Sequence, residues 1–288
     1  MTESWLKLSV QAGPAQLEAI ANFLIERGSP GVVMKRRRVE GFFAHSPADA
    51  ALKREVGRFL AGIARISSKG AMPGAAWSVL GDDNWQNSWK RFIKPRRIGK
   101  NFWVTPPWLT APNFRRRQII VIEPGMAFGT GTHATTRSCL EYLEEVAGFF
   151  GDRPFTALDV GTGAGILAIA LVKLGARPVW AIDNDPIAIN VARENFSANG
   201  ALKRVHLSGK NLKEIPGRFS VVVANLTAET ICDLAPALER KVSARGFLIL
   251  SGILHSKFNA LARRFEGRWR IAKRRRRQEW ITLMLRRN

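Results

Sequence analysis

The residues with the clearest chemical potential lie where an apolar strand, residues 157–160, leads into a turn of sequence G-T-G-A-G at 161–165. Glycine lets the backbone of such a turn approach a ligand closely, and the helix that follows presents unpaired N–H groups at its start. At the end of the next apolar strand, 22 residues after Gly161, stands Asp183, whose carboxylate can accept both hydroxyls of a ribose. Strand, glycine turn, helix, strand and acid therefore predict a nucleoside-cofactor site.

The spacing of the glycines narrows the choice of nucleoside. Dinucleotide-binding enzymes favour G-x-G-x-x-G, whereas this chain has G-x-G-x-G, with Ile166 at the place of the third glycine of that pattern. No Gly-Lys-Ser/Thr sequence follows, which excludes a phosphate-binding P-loop. The spacing resembles motif one of the S-adenosylmethionine-dependent methyltransferases, whose ligand carries no phosphate.

The overall charge is the unusual bulk property of the chain. Among 288 residues, 45 are basic and 23 acidic, which gives a formal net charge of +22, with clusters at 35–38, 115–117 and 273–277. Such a surface attracts nucleic acid, or a particle that contains it, at long range. Solvated charges that only reflect an arginine-rich composition would give the same count. The charge alone does not decide between these interpretations.

Composition and cysteine count point to a globular protein of the cytoplasm. No apolar run approaches the roughly 20 residues that a membrane helix needs, and the first residues show no secretory signal. We therefore expect no membrane partner. Cys139 and Cys232 are far apart and form no metal-spaced cluster, so we expect two buried thiols in a reducing compartment and no bound metal.

The N-terminal residues 1–80 show the pattern of a small α+β domain. Alternating and helical periods predict strand 5–11, helix 14–27, strands 31–38 and 39–45, helix 47–66 and strand 77–80. Two strand–helix passes of this size suggest a ferredoxin-like sandwich. Since this segment contains no catalytic constellation, we interpret it as a substrate-recognition domain.

Residues 81–118 are predicted to form an aromatic, basic linker. Six aromatic residues fall within its first 28 positions, which is dense for a connecting segment: Trp85, Trp89, Phe92, Phe102, Trp103 and Trp108. Such a linker is expected to pack against a domain or a partner, because this much apolar surface is costly to leave in water.

Residues 119–288 alternate between strand and helix patterns, which predicts an α/β fold with a Rossmann-like parallel sheet and helices on both faces. The predicted strands are 119–122, 156–160, 178–182, 205–208, 220–225 and 247–251, and the predicted helices are 135–149, 165–174, 186–198, 229–238 and 257–265. A final pair, 269–272 and 279–285, flanks a basic turn and predicts an antiparallel C-terminal hairpin. Such a hairpin is typical of the class I methyltransferase sheet.

Several segments together resemble one family, the PrmA-type methyltransferases, which modify a protein of the large ribosomal subunit. The resemblance covers the chain from about residue 82 onward, and only the layout agrees before that. It rests on 123–136 (E-P-G-M-A-F-G-T-G-T-H-A-T-T), 161–170 (G-T-G-A-G-I-L-A-I-A), 183–186 (D-N-D-P), 224–226 (A-N-L), and 83–90 (D-N-W-Q-N-S-W-K) followed by Lys94-Pro95. The first of these segments is the most specific.

The resemblance implies S-adenosylmethionine as cofactor and assigns its contacts. The implied binding residues are Thr136, Gly161, Asp183 and Asn225, with Phe128, Gly129, Thr130 and Gly163 as further candidates. Asp183 would fix the ribose, and Gly161 would let the backbone reach the methionine moiety. The loop that contains Gly129 could close over the methionine end, or it could simply form a tight turn before the following helix, with Thr132 or Ala134 near its cap.

The implied reaction transfers methyl groups to lysine ε-amines and to an N-terminal α-amine of the ribosomal protein. It asks mainly for in-line positioning of a neutral amine, and no residue is marked by its spacing as a dedicated base. Catalytic residues are therefore unassigned. His133 could take a proton from an amine, although a histidine in such a place is more often structural.

Three alternatives stay open at this point. A related lysine methyltransferase could act on electron-transfer flavoprotein. The positive charge would suit an RNA methyltransferase, but Asn225-Leu226-Thr227-Ala228 lacks the proline and aromatic residue that often follow the asparagine in enzymes acting on base amines. A non-catalytic ribosome-binding protein is the third possibility, and the intact glycines argue against it. Ribosomal RNA is a further candidate partner, and nothing in the sequence demands more than a monomer.

Overall fold

The computed structural model describes residues 5–29, 31–47, 49–66, 72–80, 94–109, 117–123 and 133–287. The chain divides into two compact units, and the described residues up to Lys94 belong to the first and those from Pro95 to the second. Most of the predicted linker and most of segment 123–136 lie outside the described ranges. No helix within those ranges is both long enough and apolar enough to span a bilayer.

The first unit is a four-stranded antiparallel sheet with two helices. Its elements are β1 (Trp5–Gln11), α1 (Pro14–Glu26), β2 (Val32–Lys35), β3 (Arg38–Ala44), α2 (Asp49–Ile66) and β4 (Gly74–Leu80), and the strand order is β2-β3-β1-β4. Alternate residues of β1, among them Leu6 and Leu8, pack with apolar residues of both helices such as Leu24 and Leu60. This burial of one strand face explains why the period-two pattern was visible in the sequence.

A small three-stranded sheet begins the second unit. It contains β5 (Arg96–Ile98), β6 (Phe102–Thr105) and β7 (Gln118–Val121), with β6 antiparallel to β5 and parallel to β7. The prediction that residues 119–122 belong to the large parallel sheet was wrong. The amide of Val121 donates to Oδ1 of Asn199 (2.9 Å), and the Asn199 amide group donates back to the Val121 carbonyl (2.6 Å). A strand pattern predicts extended backbone but does not specify the neighbouring strand.

The central sheet of the second unit has seven strands in the order β10-β9-β8-β11-β12-β14-β13. Its elements are α3 (Ala134–Phe150), β8 (Ala157–Val160), α4 (Ile166–Lys173), β9 (Val179–Ile182), α5 (Pro186–Ala198), β10 (Val205–Ser208), β11 (Phe219–Asn225), α6 (Ala228–Lys241), β12 (Val242–Leu254), α7 (Phe258–Arg264), β13 (Trp269–Arg277) and β14 (Trp280–Arg287). The first five strands in this order are parallel, and β14 runs antiparallel to β12 and β13. The strand order reverses between β8 and β11, and open α/β sheets bind ligands at such a crevice.

The C-terminal hairpin differs from its prediction in one respect. Residues 273–277, expected as a basic turn, continue strand β13, and only Gln278 and Glu279 separate it from β14. Consecutive cations can form a strand here because β13 lies at the sheet edge and part of its charge is neutralised by acids of α3. Of the two cysteines expected to be buried, Cys139 is buried and Cys232 is only half-buried.

Candidate active site

The glycine turn after β8 has a backbone that only glycine adopts readily. Gly161, Gly163 and Gly165 have φ angles of 71°, 53° and 85°, in the left-handed region. A Cβ at Gly165 would lie 2.6 Å from Cε1 of Phe196, and one at Gly161 would collide with the Leu226 side chain. The amide of Gly161 donates to the Ile182 carbonyl (2.9 Å), and this bond ties the turn to the end of β9.

Asp183 stands directly after β9 and beside this turn. Its Oδ2 accepts a hydrogen bond from the Gly163 amide (2.8 Å), and its Oδ1 accepts one from the Asp185 amide (3.0 Å). Asp185 in turn caps helix α5 by accepting from the Ile187 amide (2.8 Å). The structure therefore brings Asp183 and the glycine turn together at the carboxyl ends of β8 and β9. Its contact with a ribose stays a prediction.

Asn225, the last residue of β11, meets helix α3 through Thr136. The Asn225 Nδ2 donates to Oγ1 of Thr136 over 3.4 Å, although 89 positions separate the two residues. The Oδ1 of Asn225 is buried and accepts no hydrogen bond from any residue that the structure describes. A buried acceptor without a donor is costly, so this atom marks a place where a ligand can supply one. Both residues are among the predicted cofactor contacts.

Asp159, in the middle of β8, is a buried carboxylate that the sequence interpretation passed over. Its Oδ2 accepts from the Thr162 hydroxyl (2.7 Å) and the Ala168 amide (3.1 Å), so it connects the strand, the glycine turn and helix α4. Its Oδ1 is buried and has no hydrogen-bond partner in the described part of the chain. Burial raises the pKa of Asp159 to about 7, and the nearby Asp183 acts in the same direction against the two hydrogen bonds. The sequence signal that could have revealed this buried carboxylate was an acidic residue within an apolar strand.

A second feature missed from sequence is the contact between Leu226 and Gly252. The Leu226 amide donates to the Ser251 carbonyl (3.0 Å), and Gly252 has a φ of 83°. A Cβ at Gly252 would overlap the Leu226 carbonyl group and lie 2.9 Å from its carbon. Gly252 thus allows the chain that leaves Asn225 to pass close to β12. The signal in the sequence for this contact was a glycine next to the apolar segment of a predicted strand.

His133 has a structural role at the start of α3. Its Nδ1 accepts from the Thr135 amide (3.3 Å) and lies 2.6 Å from the Thr135 hydroxyl, which makes His133 the N-cap in place of the expected Thr132 or Ala134. The ring meets Trp280 edge-on at a centroid distance of 5.2 Å. Burial lowers the pKa of His133 to about 4, so the imidazole is neutral at neutral pH and is a weak base.

The described residues thus assemble four of the predicted contacts, Thr136, Gly161, Gly163 and Asn225, around the end of β8, with Asp183 beside them. Phe128, Gly129 and Thr130 lie outside the described residues, so their predicted contacts are untested. In the same described ranges, no group of three or more His, Cys, Asp and Glu residues is placed to hold a metal ion. The arrangement can hold a nucleoside and present buried acceptors beside it.

Comparison with known proteins places this site in a family. A family model described as "Ribosomal protein L11 methyltransferase (PrmA)" matches residues 4–288. The ribosomal protein L11 methyltransferase of Geotalea uraniireducens (strain Rf4) is 34% identical, with 98% of each chain covered, and that of Geobacter sulfurreducens is 39% identical over 88% of each chain. A crystal structure of the ribosomal protein L11 methylase from Lactobacillus delbrueckii subsp. bulgaricus is 32% identical, with a TM-score of 0.62, and covers 68% of this chain and all of the other.

The family model and the Geotalea uraniireducens relative match nearly the whole chain, including the first 80 residues, where only the layout had agreed. They confirm the predicted enzyme class, a methyltransferase, and the predicted α/β fold with a mostly parallel central sheet. The chain belongs to the family of ribosomal protein L11 methyltransferases of the PrmA type.

Proposed function

We propose that this protein transfers methyl groups from S-adenosylmethionine to lysine ε-amines of ribosomal protein L11, and also to its N-terminal α-amine. The observation that carries the proposal is the full-length family match, joined to a site with the glycine turn and acid of a nucleoside-binding fold. Family membership does not favour the two catalytic alternatives, methylation of electron-transfer flavoprotein or of RNA.

The residues fit S-adenosylmethionine on structural grounds. In our assignment Asp183 binds the ribose hydroxyls, Gly161 and Gly163 bring the backbone close to the cofactor, and Asn225 and Thr136 lie at its methionine end. The buried Oδ1 of Asn225, which lacks a donor among the described residues, supports this placement because the cofactor's ammonium group is a donor. Phe128, Gly129 and Thr130 are assigned to the same cofactor by family resemblance alone.

The bound cofactor supplies a methyl group already activated by the sulfonium. The protein therefore has to exclude water and hold a neutral amine in line with that methyl group. A lysine has a pKa of about 10.4 in water and must lose its proton before attack. A main-chain carbonyl beside Asn225 and the Thr227 hydroxyl can orient the amine, although Thr227 also caps helix α6 (3.3 Å to the Thr230 amide). No general base is assigned.

Our proposal gives each segment a part in recognition. Residues 1–80 form a ferredoxin-like substrate-recognition domain, a topology supported by the strand order β2-β3-β1-β4. Residues 81–118 form the linker, whose described residues from Pro95 onward belong to the second compact unit, and residues 119–288 form the methyltransferase domain. The net charge of +22 adds ribosomal RNA as a second partner, reached when the substrate is part of a ribosomal particle.

The proposal is tested by incubating the protein and methyl-labelled S-adenosylmethionine in three separate reactions. The substrate is purified L11 in the first, total ribosomal proteins in the second and ribosomal RNA in the third. Mass spectrometry then locates the label. We expect labelled lysines and a labelled α-amine in L11. Label confined to RNA would contradict the proposal, and cofactor binding without any transfer would favour a non-catalytic protein.

A further inference from the structure

Strand β13 lies at the outer edge of the central sheet and carries an unusual density of charge. Residues 269–277 contain five arginines and one lysine, and no acidic residue. Among the residues that the structure describes, β13 pairs only with β14, so its other side presents backbone N–H groups that no described strand uses. We call this edge of the sheet, residues 269–277, the β13 edge.

Part of this charge is neutralised by helix α3. The ion pairs join Lys273 to Glu145, Arg275 to Glu141 and Glu145, and Arg277 to Glu141 (2.9 Å). Arg137 also pairs with Glu141, over 3.4 Å, so four cations share two carboxylates. The α3 side of the β13 edge therefore keeps a surplus of positive charge.

The remaining arginines of the edge have no acidic partner among the residues that the structure describes. Arg270, Arg274 and Arg276 are exposed and form no ion pair with a described carboxylate. The Arg274 guanidinium carbon lies 4.9 Å above the Phe258 ring, and the Arg276 Nε donates to the Gln278 carbonyl (3.0 Å). These contacts hold the side chains in place while leaving guanidinium donors and charge for another molecule. Residues two apart in a strand lie on the same face at a spacing of about 7 Å, so Arg274 and Arg276 place two positive charges side by side.

We propose that the β13 edge docks the phosphate backbone of RNA without reading its sequence. Guanidinium groups bind phosphate oxygens bidentately, and the free backbone amides of the edge can donate to the same oxygens. The choice of RNA over a lipid surface rests on the proposed function, which brings the enzyme to a ribosomal protein. It is also favoured by the scarcity of apolar surface, since Ile271 is the one large exposed apolar side chain of β13.

Charged residues on an edge strand also prevent strand-to-strand aggregation, and this is the competing explanation. One or two cations suffice for that purpose, whereas this edge carries a net surplus even after its pairing with α3. Edge protection predicts aggregation when the charges are removed, and RNA docking predicts a loss of salt-dependent binding.

The test compares two double charge reversals in the full-length protein that change the net charge equally. Arg274→Glu/Arg276→Glu alters the β13 edge, and Arg36→Glu/Arg37→Glu alters the exposed turn between β2 and β3 of the first unit. Binding of a fluorescently labelled RNA hairpin is followed by anisotropy at several salt concentrations. We expect the first variant to bind about tenfold or more weakly and to lower the slope of log Kd against log salt by about 2, since each lost phosphate contact lowers it by about 1. The second variant should retain most of the affinity.

Further readouts separate this proposal from the proposed function. Methyl transfer to purified L11 should be unchanged in Arg274→Glu/Arg276→Glu, and thermal melting shows whether the fold is intact, with Arg274→Gln/Arg276→Gln as the milder variant. Equal losses in both reversals, absence of RNA binding by the parent protein, or aggregation as the only effect would overturn the RNA proposal. Preferential binding to anionic phosphatidylserine vesicles would overturn it in favour of a membrane. Failure of the parent protein to methylate L11 would instead contradict the proposed function.

Discussion

The amide of Gly163 donates a hydrogen bond to Oδ2 of Asp183 over 2.8 Å, and this bond joins the glycine turn after β8 to the loop after the neighbouring strand β9. The second carboxylate oxygen of Asp183 accepts from the Asp185 amide. One side chain therefore holds together the two loops between which a nucleoside would lie. The Asp183 carboxylate therefore stabilises the conformation of both loops through these hydrogen bonds.

Replacement of Asp183 by alanine is expected to weaken S-adenosylmethionine binding by about 100-fold or more while the protein stays folded. In our assignment the substitution removes the hydrogen bonds from the two ribose hydroxyls of the cofactor to the Asp183 carboxylate. Each hydrogen bond to a charged acceptor is worth about 1.5–3 kcal/mol. Isothermal titration calorimetry measures the affinity, and circular dichroism checks the fold.

Asp185→Ala is the matched control for this substitution. Asp185 lies two residues after Asp183 and caps helix α5. Its loss should cost about 1 kcal/mol of folding stability without a comparable loss of affinity for S-adenosylmethionine. Equal affinities for the Asp183 variant and the parent protein would show that the ribose has been assigned to the wrong residue.

Gly252→Ala is expected to reduce both stability and methyl transfer. The new Cβ would collide with the Leu226 carbonyl and displace the chain that carries Asn225. Gly217→Ala provides the comparison, because Gly217 also has a positive φ, 80°, but among the described residues no atom beyond its chain neighbours lies within 4 Å of its Cβ position. That variant should lose only the cost of a left-handed alanine, about 1–2 kcal/mol. Urea unfolding and initial rates test the pair, and equal effects of the two substitutions would argue against the clash.

Asp159 is expected to make the protein less stable as pH rises through neutrality. Its folded pKa of about 7 lies above the unfolded value of 3.8, so between these values the folded state keeps a proton that the unfolded state releases. Stability attributable to this group is therefore present at low pH and is lost as pH rises towards and past 7. Each pKa unit corresponds to about 1.4 kcal/mol, which predicts a change of a few kcal/mol in all.

The comparison with Asp159→Asn isolates this effect. The asparagine cannot ionise but can still accept from Thr162 through its carbonyl oxygen. The difference in unfolding free energy between the parent protein and the variant should shift in favour of the variant from pH 5 to pH 8. Contributions of other groups, among them His133, cancel in this difference. A difference independent of pH would mean that the carboxylate is charged throughout.

His133→Asn should leave methyl transfer at pH 8 within about threefold of the parent rate, whereas loss of a general base costs 10²- to 10⁴-fold. Asparagine is a good N-cap and can accept from the Thr135 amide as the imidazole does. A hundredfold fall in rate with unchanged cofactor affinity would make His133 part of the catalytic machinery.

The same variant should resist acid better. The folded pKa of His133, about 4, lies below the unfolded value of 6.5, so the unfolded state binds the extra proton in this window and stability falls as pH drops through it. Unfolding curves at pH 7 and pH 4.5 measure the loss, which should be smaller in the variant than in the parent protein.

Local features of this protein could be predicted from sequence because they depend on neighbours along the chain. Helix α5 and strand β10 were predicted at the bounds that the structure shows, since a proline and an aspartate mark the helix start and alternating apolar and polar residues mark the strand. The glycine turn and its acid were recognisable for the same reason. Left-handed backbone needs glycine, and the distance from Gly161 to Asp183 is that of one βαβ unit.

Sequence by itself thus determined most of the strands and helices, which kind of cofactor the turn suits, and which family the chain resembles. It did not indicate strands β5 and β6, which lie in the predicted linker, or the strand conformation of residues 273–277. Only the tertiary structure decided what depends on distant parts of the chain: the meeting of Asn225 with Thr136, the burial that raises the pKa of Asp159, and the contact of Gly252 with Leu226. It also placed β7 in a separate sheet and β13 at an edge. Periodicity reports which faces of an element are apolar, but strand order and desolvation follow from packing between elements, which no local pattern encodes.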